Sequence, residues 1–241
     1  MIGERFGREL ADIYFSIRSV LGQRPGLYFP LQRLRPRRRH LLVTRDTEIV
    51  IEGYPRSANT FAVAAFLLAQ GRPVKIAHHL HVPAQVIRAV QWGIPTIVLI
   101  RRPQDAVLSR LVRKPTLDVV RALRDYISRT IAPYREGFVV ALFEEVTRNF
   151  GAVIERVNAK FKTSFVPFVH TEDSVQKVFE LVEEMDKKDQ KKNAVTEATV
   201  ARPSAIREAL KAQREQKLND FKVRPLLEEA QHVWDTVIGW K

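Results

Sequence analysis

"IVIEGYPRSANTF", residues 49–61, is the stretch on which the fold turns. Three β-branched residues, Ile49, Val50 and Ile51, run into Gly53; small and polar residues follow, and Thr60 opens an apolar helical stretch. A buried strand that breaks at a glycine and re-enters a helix has the layout of a phosphate-binding loop, whose full form is G-x-x-x-x-G-K-[ST]. Gly53 and Thr60 fit that form, Ala58 replaces the second glycine, and Asn59 replaces the lysine. The nearest cation is Arg56. Backbone N–H groups and the dipole at a helix start favour an anion, and Ser57, Thr60 and Arg56 add two hydroxyls and a charge. An ordinary strand-to-helix turn would hold the same residue types, so the loop does not decide the matter alone.

Working outward, "EIVIEG" (48–53) is followed by three more apolar runs: "VKIA" (74–77), "TIVLI" (96–100) and "FVVALF" (138–143). Between and after them the spacing predicts helices over 60–70, from Pro83 to Trp92, from Pro103 to 112, over 116–131, and through 150–161. Strands that are apolar throughout and alternate with helices imply a parallel sheet covered on both faces. The expected fold class is therefore α/β: a three-layer sandwich with a central, mostly parallel sheet, P-loop NTPase-like, with extra N- and C-terminal helices. A single domain is expected over 1–241. It divides into an N-terminal helix and basic loop (1–45), a nucleotide-binding core (46–170) and a helical C-terminal part (171–241). Phe6, Leu10, Ile13, Ile17 and Leu21 share one side of a helix over 4–22, whereas 23–45, rich in Pro, Gly and Arg, reads as irregular. Helices are also expected over 171–190, from near Ser204, and around Leu226, Leu227, Val233 and Trp234.

Forty basic residues against 27 acidic ones give a net charge of +13, which calls for an anionic partner. The densest cluster, "RLRPRRRH" (33–40), lacks the interleaved aromatics of a single-strand binding surface, so no nucleic acid is expected. Between Arg33 and Arg39 it suits a membrane surface or an acidic polymer, and a solvated basic loop would look the same. The chain has no cysteine, which excludes disulfides and cysteine-based metal sites. "MIGERFGREL" has charges where a signal peptide needs an apolar core. No apolar run approaches the roughly 20 residues of a membrane span, and a soluble cytoplasmic protein is the expectation.

Ligands of parallel α/β sheets bind beyond the carboxyl ends of the strands. Arg56 follows the first strand, His79 the second and Arg101 the third. In "IVLIRRPQDAVLS" (97–109), Arg101 ends a strand and Ser109 lies nearly two turns into the next helix. Cations at a helix start are unfavourable unless an anion is present. Two basic strand ends side by side suit a ligand with two separated phosphates, though surface arginines would read alike. "AHHLHVP" (77–83) places His78, His79 and His81 after the second strand, where a histidine can serve as a base near neutral pH. Three loop histidines, or a chance H-x-H metal pair, is the plainer reading.

Y-P-R-S-A-N-T-F (54–61) together with R-R-P-Q-D-A-V-L-S (101–109) resembles the signature of sulfotransferases that use 3′-phosphoadenosine 5′-phosphosulfate (PAPS). Those enzymes carry Y-P-K-S-G-T-T-W and R-N-P-x-D-x-x-x-S, and the chain looks like a divergent, bacterial-type member over residues 48–115. The resemblance implies PAPS as cofactor, with no metal required. It implies that Arg56, in the lysine's place, with Ser57, Ala58, Asn59 and Thr60, holds the 5′-phosphosulfate. Phe61 stands where the family has a tryptophan near the adenine, and Arg101 and Ser109 would hold the 3′-phosphate. Arg56 and His79 become the catalytic pair, His79 at the family's T-H-L-P histidine and His81 second in line. The family's C-terminal Arg-Lys-Gly loop is absent, and Arg202, Arg207 and Lys211 are candidates to replace it. A sulfuryl group carries less charge than a phosphoryl group, so one cation at the leaving oxygen can suffice. The acceptor is a hydroxyl or amine, with carbohydrate and lipid both open. Two alternatives stand beside this. One is a P-loop kinase or nucleotide hydrolase, for which Glu144 and Glu145 are the nearest Walker-B substitutes. The other is a non-catalytic basic protein on an anionic polymer or membrane.

Overall fold

Four short strands pair in parallel in the order β2-β1-β3-β4: β1 Ile49–Gly53, β2 Ile76–His78, β3 Thr96–Ile100 and β4 Val139–Leu142. They come from a computed structural model that describes residues 20–128, 131–190 and 200–241. The expected N-terminal helix therefore lies almost wholly outside the described residues.

The order of strands follows from the connections. β1 leads through α2 (Asn59–Gln70) to β2 on one side; α3 (Pro83–Gln91) then carries the chain back past β1 to β3. α4 (Pro103–Arg113) and α5 (Val119–Ile127) lead on to β4, and α6 (Phe143–Phe161) follows it directly. Ile49, Ile51, Ile97, Leu99, Val139 and Ala141 face α2, α6 and α7 (Glu172–Gln190). The alternate residues Val50, Val98, Ile100 and Val140 face the opposite layer, where α3 packs. The period-two alternation of strand side chains thus serves two apolar cores, which is why the strands are mostly apolar, with Glu52 and His78 at the ends of β1 and β2. α8 (Ala205–Glu215) lies against α4, and α9 (Arg224–Ile238) against α5. This is the expected three-layer α/β sandwich.

Gly53 is required by close approach: a Cβ there would sit 2.2 Å from the Leu99 carbonyl oxygen across the sheet. Pro83 and Pro103 open α3 and α4, where a missing N–H is harmless. Gly71, with φ of 60°, ends α2 in the left-handed conformation that glycine tolerates.

The structure corrects the reading of 23–45 as irregular. Pro25–Arg33 forms a helix, α1, and Pro36–Leu41 a 3-10 helix. Tyr28 and Phe29 bury one side of α1, with the Arg88 guanidinium 5.0 Å from the Phe29 ring centre. Tertiary burial of two aromatics outweighs Pro30 and Gly26, which locally oppose a helix. Smaller shifts occur at β2, which runs 76–78 rather than 74–77, and at α6, which starts at Phe143 and kinks at Asn149.

Candidate active site

The loop after β1 is held from inside. Tyr54 is buried; its hydroxyl donates to the Ala122 carbonyl at 2.9 Å and accepts from Arg110 Nη1 at 2.9 Å. Asn59 Nδ2 donates to the Tyr54 carbonyl at 2.9 Å. Asn59, which stands at the Walker lysine position, is therefore a clasp for the loop. Arg56 and Ala58 both take left-handed backbone, at φ of 76° and 65°. Ala58 thus adopts the conformation that glycine would take at no cost. The first N–H groups of α2 have no intrahelical partner and open into the loop.

The histidine turn after β2 is fastened by Glu52, which is 1% exposed. Its carboxylate accepts from Leu80 N at 2.7 Å, His81 N at 3.0 Å and Gln85 Nε2 at 3.3 Å. His81 Nδ1 lies 2.9 Å from the Gly53 carbonyl, so that ring is tied to the strand. His79 turns towards the loop instead, with Nε2 3.1 Å from Thr60 Oγ1, and its Nδ1 is hydrogen-bonded to His78 Nδ1. His79 and His81 also have positive φ, at 57° and 53°. Four of the five described non-glycine residues with positive φ thus sit in these two turns, and such strain concentrates where a site needs a set geometry.

The third strand end supplies Arg101, whose Nη1 donates to the Arg56 carbonyl at 3.3 Å and whose guanidinium covers the Phe143 ring at 3.8 Å. Ser109, buried in α4, accepts from Arg56 Nε at 3.1 Å and from Arg207 Nη2 at 2.7 Å. Arg207 is 5% exposed and also bonds the Val200 carbonyl, which accepts from Arg56 Nη2 at 3.4 Å as well. Of the three candidates for the missing basic loop, only Arg207 reaches this point. Arg202 pairs with Glu183 at 2.7 Å and Lys211 with Glu208 at 2.5 Å. Arg113 completes the ring, 3.4 Å from the buried Asp186. Burial, and then the like charges of Arg207, Arg113 and Arg101, push the Arg56 guanidinium well below its ordinary range, with Asp186 opposing. Four guanidiniums thus gather here, opposed by Asp186 at Arg56 and by Asp105, Glu144 and Glu208 at Arg101. Ser57 Oγ and Arg101 Nε are buried with no hydrogen-bond partner among the described residues, and both can donate to a phosphate.

Two expected roles meet a different setting. Phe61 is 4% exposed and packs edge-on against Phe168 and Phe179, a core position rather than an open face for a base. Glu145 accepts from Leu142 N at 3.0 Å and pairs with Arg156 at 2.8 Å and Lys241 at 2.7 Å. Burial pushes its carboxyl up, but these partners outweigh it and hold it at about 2. Glu145 is a structural anchor for β4 and α6.

Burial and neighbouring positive charge lower both His78 and His79 to about 3, so both are neutral at pH 7. The unfolded chain protonates them near 6.5. It therefore binds more protons than the folded chain at any pH between about 6.5 and 3. Stability should be complete above pH ~6.5 and fall below it, by up to about 1.4 kcal/mol per pH unit for each imidazole. Urea midpoints taken in steps below neutrality check this. Replacing both histidines with asparagine should flatten the slope, and an unchanged slope would assign the acid sensitivity elsewhere.

Neither any family model nor any curated protein matches the chain. Among solved structures, a mouse sulfotransferase complexed with PAP aligns at a probability of 1.00 and a TM-score of 0.38. Identity is 14%, covering 80% of this chain and 92% of that one. An overlap that loose carries no functional weight.

Proposed function

We propose that the protein is a sulfotransferase that moves a sulfuryl group from PAPS to a hydroxyl or amine acceptor. The observation that carries this reading is the Ser109 hydroxyl. It accepts from Arg56 at 3.1 Å and Arg207 at 2.7 Å, one strand away from the Thr60–His79 pair. A buried cationic cluster thus adjoins a helix-start loop, as a ligand with two separated phosphates would need, and a neutral imidazole stands at the loop. The unpaired donors Ser57 Oγ and Arg101 Nε and the clustered guanidiniums of Arg56, Arg101, Arg113 and Arg207 fit a ligand of that kind.

Thr60, Ser57 and the first N–H groups of α2 would hold the 5′ end, and Arg101, Ser109 and Arg207 the 3′-phosphate. When bound, PAPS supplies the sulfuryl group, its bond to the 5′-phosphate breaking as the acceptor's oxygen or nitrogen bonds to sulfur. His79 Nε2 accepts the acceptor's proton. Arg56 exchanges Ser109 for the oxygen on which charge builds, where a preorganised cation has its largest effect.

Calorimetric titration with 3′-phosphoadenosine 5′-phosphate (PAP) in EDTA, against ADP, tests the reading. Charged hydrogen bonds at the 3′-phosphate, at about 1.5–3 kcal/mol each, should favour PAP by tenfold or more. Equal binding, or binding only of ATP with Mg²⁺, would refute the two-phosphate reading and turn attention to phosphoryl transfer.

A further inference from the structure

The stretch from Val20 to Arg45 holds seven arginines and no acidic residue. Folded, it presents two kinds of side chain together. Leu27, Leu31 and Leu34 are spaced by four and three residues, so they line one side of α1 and its C-cap. They are 49%, 47% and 75% exposed, whereas Tyr28 and Phe29 occupy the buried side. Arg24, Arg33, Arg35, Arg38 and Arg39 are exposed around them, the last two on the 3-10 helix that continues from α1. Arg45 lies over the Trp92 ring at 4.4 Å, extending the basic border towards β1.

Leucines in a solvent-facing row are unusual on a helix whose other side is already packed, and they need a second apolar phase. A soluble polyanion would use the arginines but has nothing to offer the leucines. A bilayer bearing anionic headgroups satisfies both: the leucines enter the acyl boundary and the arginines stay among the phosphates. Two proline-started helical turns with the leucines between the arginines place the charges at the right level for that. We propose that α1 and the 3-10 helix form a peripheral docking surface for an anionic lipid bilayer. The proposal is independent of the sulfuryl-transfer reading.

The surface is anchored to the rest of the chain through buried polar contacts. Gln85 Nε2 donates to the Leu41 carbonyl at 2.7 Å, and its Oε1 accepts from Val43 N at 2.9 Å. The same Gln85 reaches Glu52, which holds the histidine turn. Docking would therefore set the membrane against a rigid flank of the sheet rather than a free tail.

The test is co-sedimentation of the full chain with vesicles of phosphatidylcholine alone or mixed equally with phosphatidylglycerol, at low and high salt. The expected result is binding to the mixed vesicles only, weakened by salt. Leu27→Ser, Leu31→Ser and Leu34→Ser together should lower partition about tenfold or more. Arg35→Gln, Arg38→Gln and Arg39→Gln, at about fivefold each, should lower it about a hundredfold. Retention on heparin should follow the arginines and ignore the leucines. If the triple leucine variant fails to fold, Leu34→Trp offers a second measurement, since its emission should be quenched by brominated lipids in mixed vesicles. No partition into mixed vesicles, partition indifferent to the leucines, or no quenching would overturn the proposal. Heparin retention would then mark a surface for soluble polyanions.

Discussion

His79→Ala should lower turnover by about 10²–10⁴-fold, the usual worth of a positioned general base, while PAP affinity stays unchanged. The role depends on which nitrogen carries the proton. His79 Nε2 points at Thr60 and the loop, so it must hold a lone pair to accept a proton. Nδ1 must then be the protonated nitrogen, donating to His78 Nδ1. His78 is in this account a positioning residue that selects the tautomer. His78→Phe should lower kcat with little change in KM, whereas His78→Asn, which keeps an acceptor, should recover part of it. Nitrogen NMR of labelled imidazoles reads the tautomer directly. Full activity in His79→Ala would remove the base from the mechanism. A His79 tautomer unchanged in His78→Phe would remove His78's role.

Arg207→Ala should weaken PAP binding by about 10–150-fold, the equivalent of one charged hydrogen bond, with ADP affinity unchanged. Arg207→Lys should recover only part, because an ammonium cannot reproduce the guanidinium's fork towards Ser109 and Val200. The ligand-free protein should respond differently. Arg207 is the largest like-charge influence on Arg56, so its removal relieves repulsion in the empty ring. The melting temperature of ligand-free Arg207→Ala is expected to hold or rise, in the manner of sites that trade stability for binding. A variant that melts earlier yet binds PAP normally would make Arg207 a structural clasp for Val200 instead.

The sheet was legible in the residues. "TIVLI" is β3 to the residue, and "IVIEG" is β1, because a strand buried on both faces is built mainly of apolar side chains, with buried Glu52 the exception in β1. The proline starts of α3 and α4 were equally plain, since proline is compatible with the first helical turn and little else in a helix. α1 was not, because its helix-breaking residues are local while the burial of Tyr28 and Phe29 is not.

The same division runs through the candidate site. Arg56, His79 and Arg101 could be singled out because each lies within three residues of a strand's carboxyl end, and parallel pairing carries consecutive strand ends to one edge. Local sequence determined those positions by itself. What lies between them was decided only by tertiary structure. Ser109 meets Arg207 across 98 residues, and Arg56 meets Val200 across 144. Phe61 enters a core completed by Phe168 and Phe179, and Glu145 is taken by Lys241. Such partners depend on how helices from the last third of the chain pack over the sheet. Helix periodicity tells which side of a helix is apolar but not which strand end its polar residues will face.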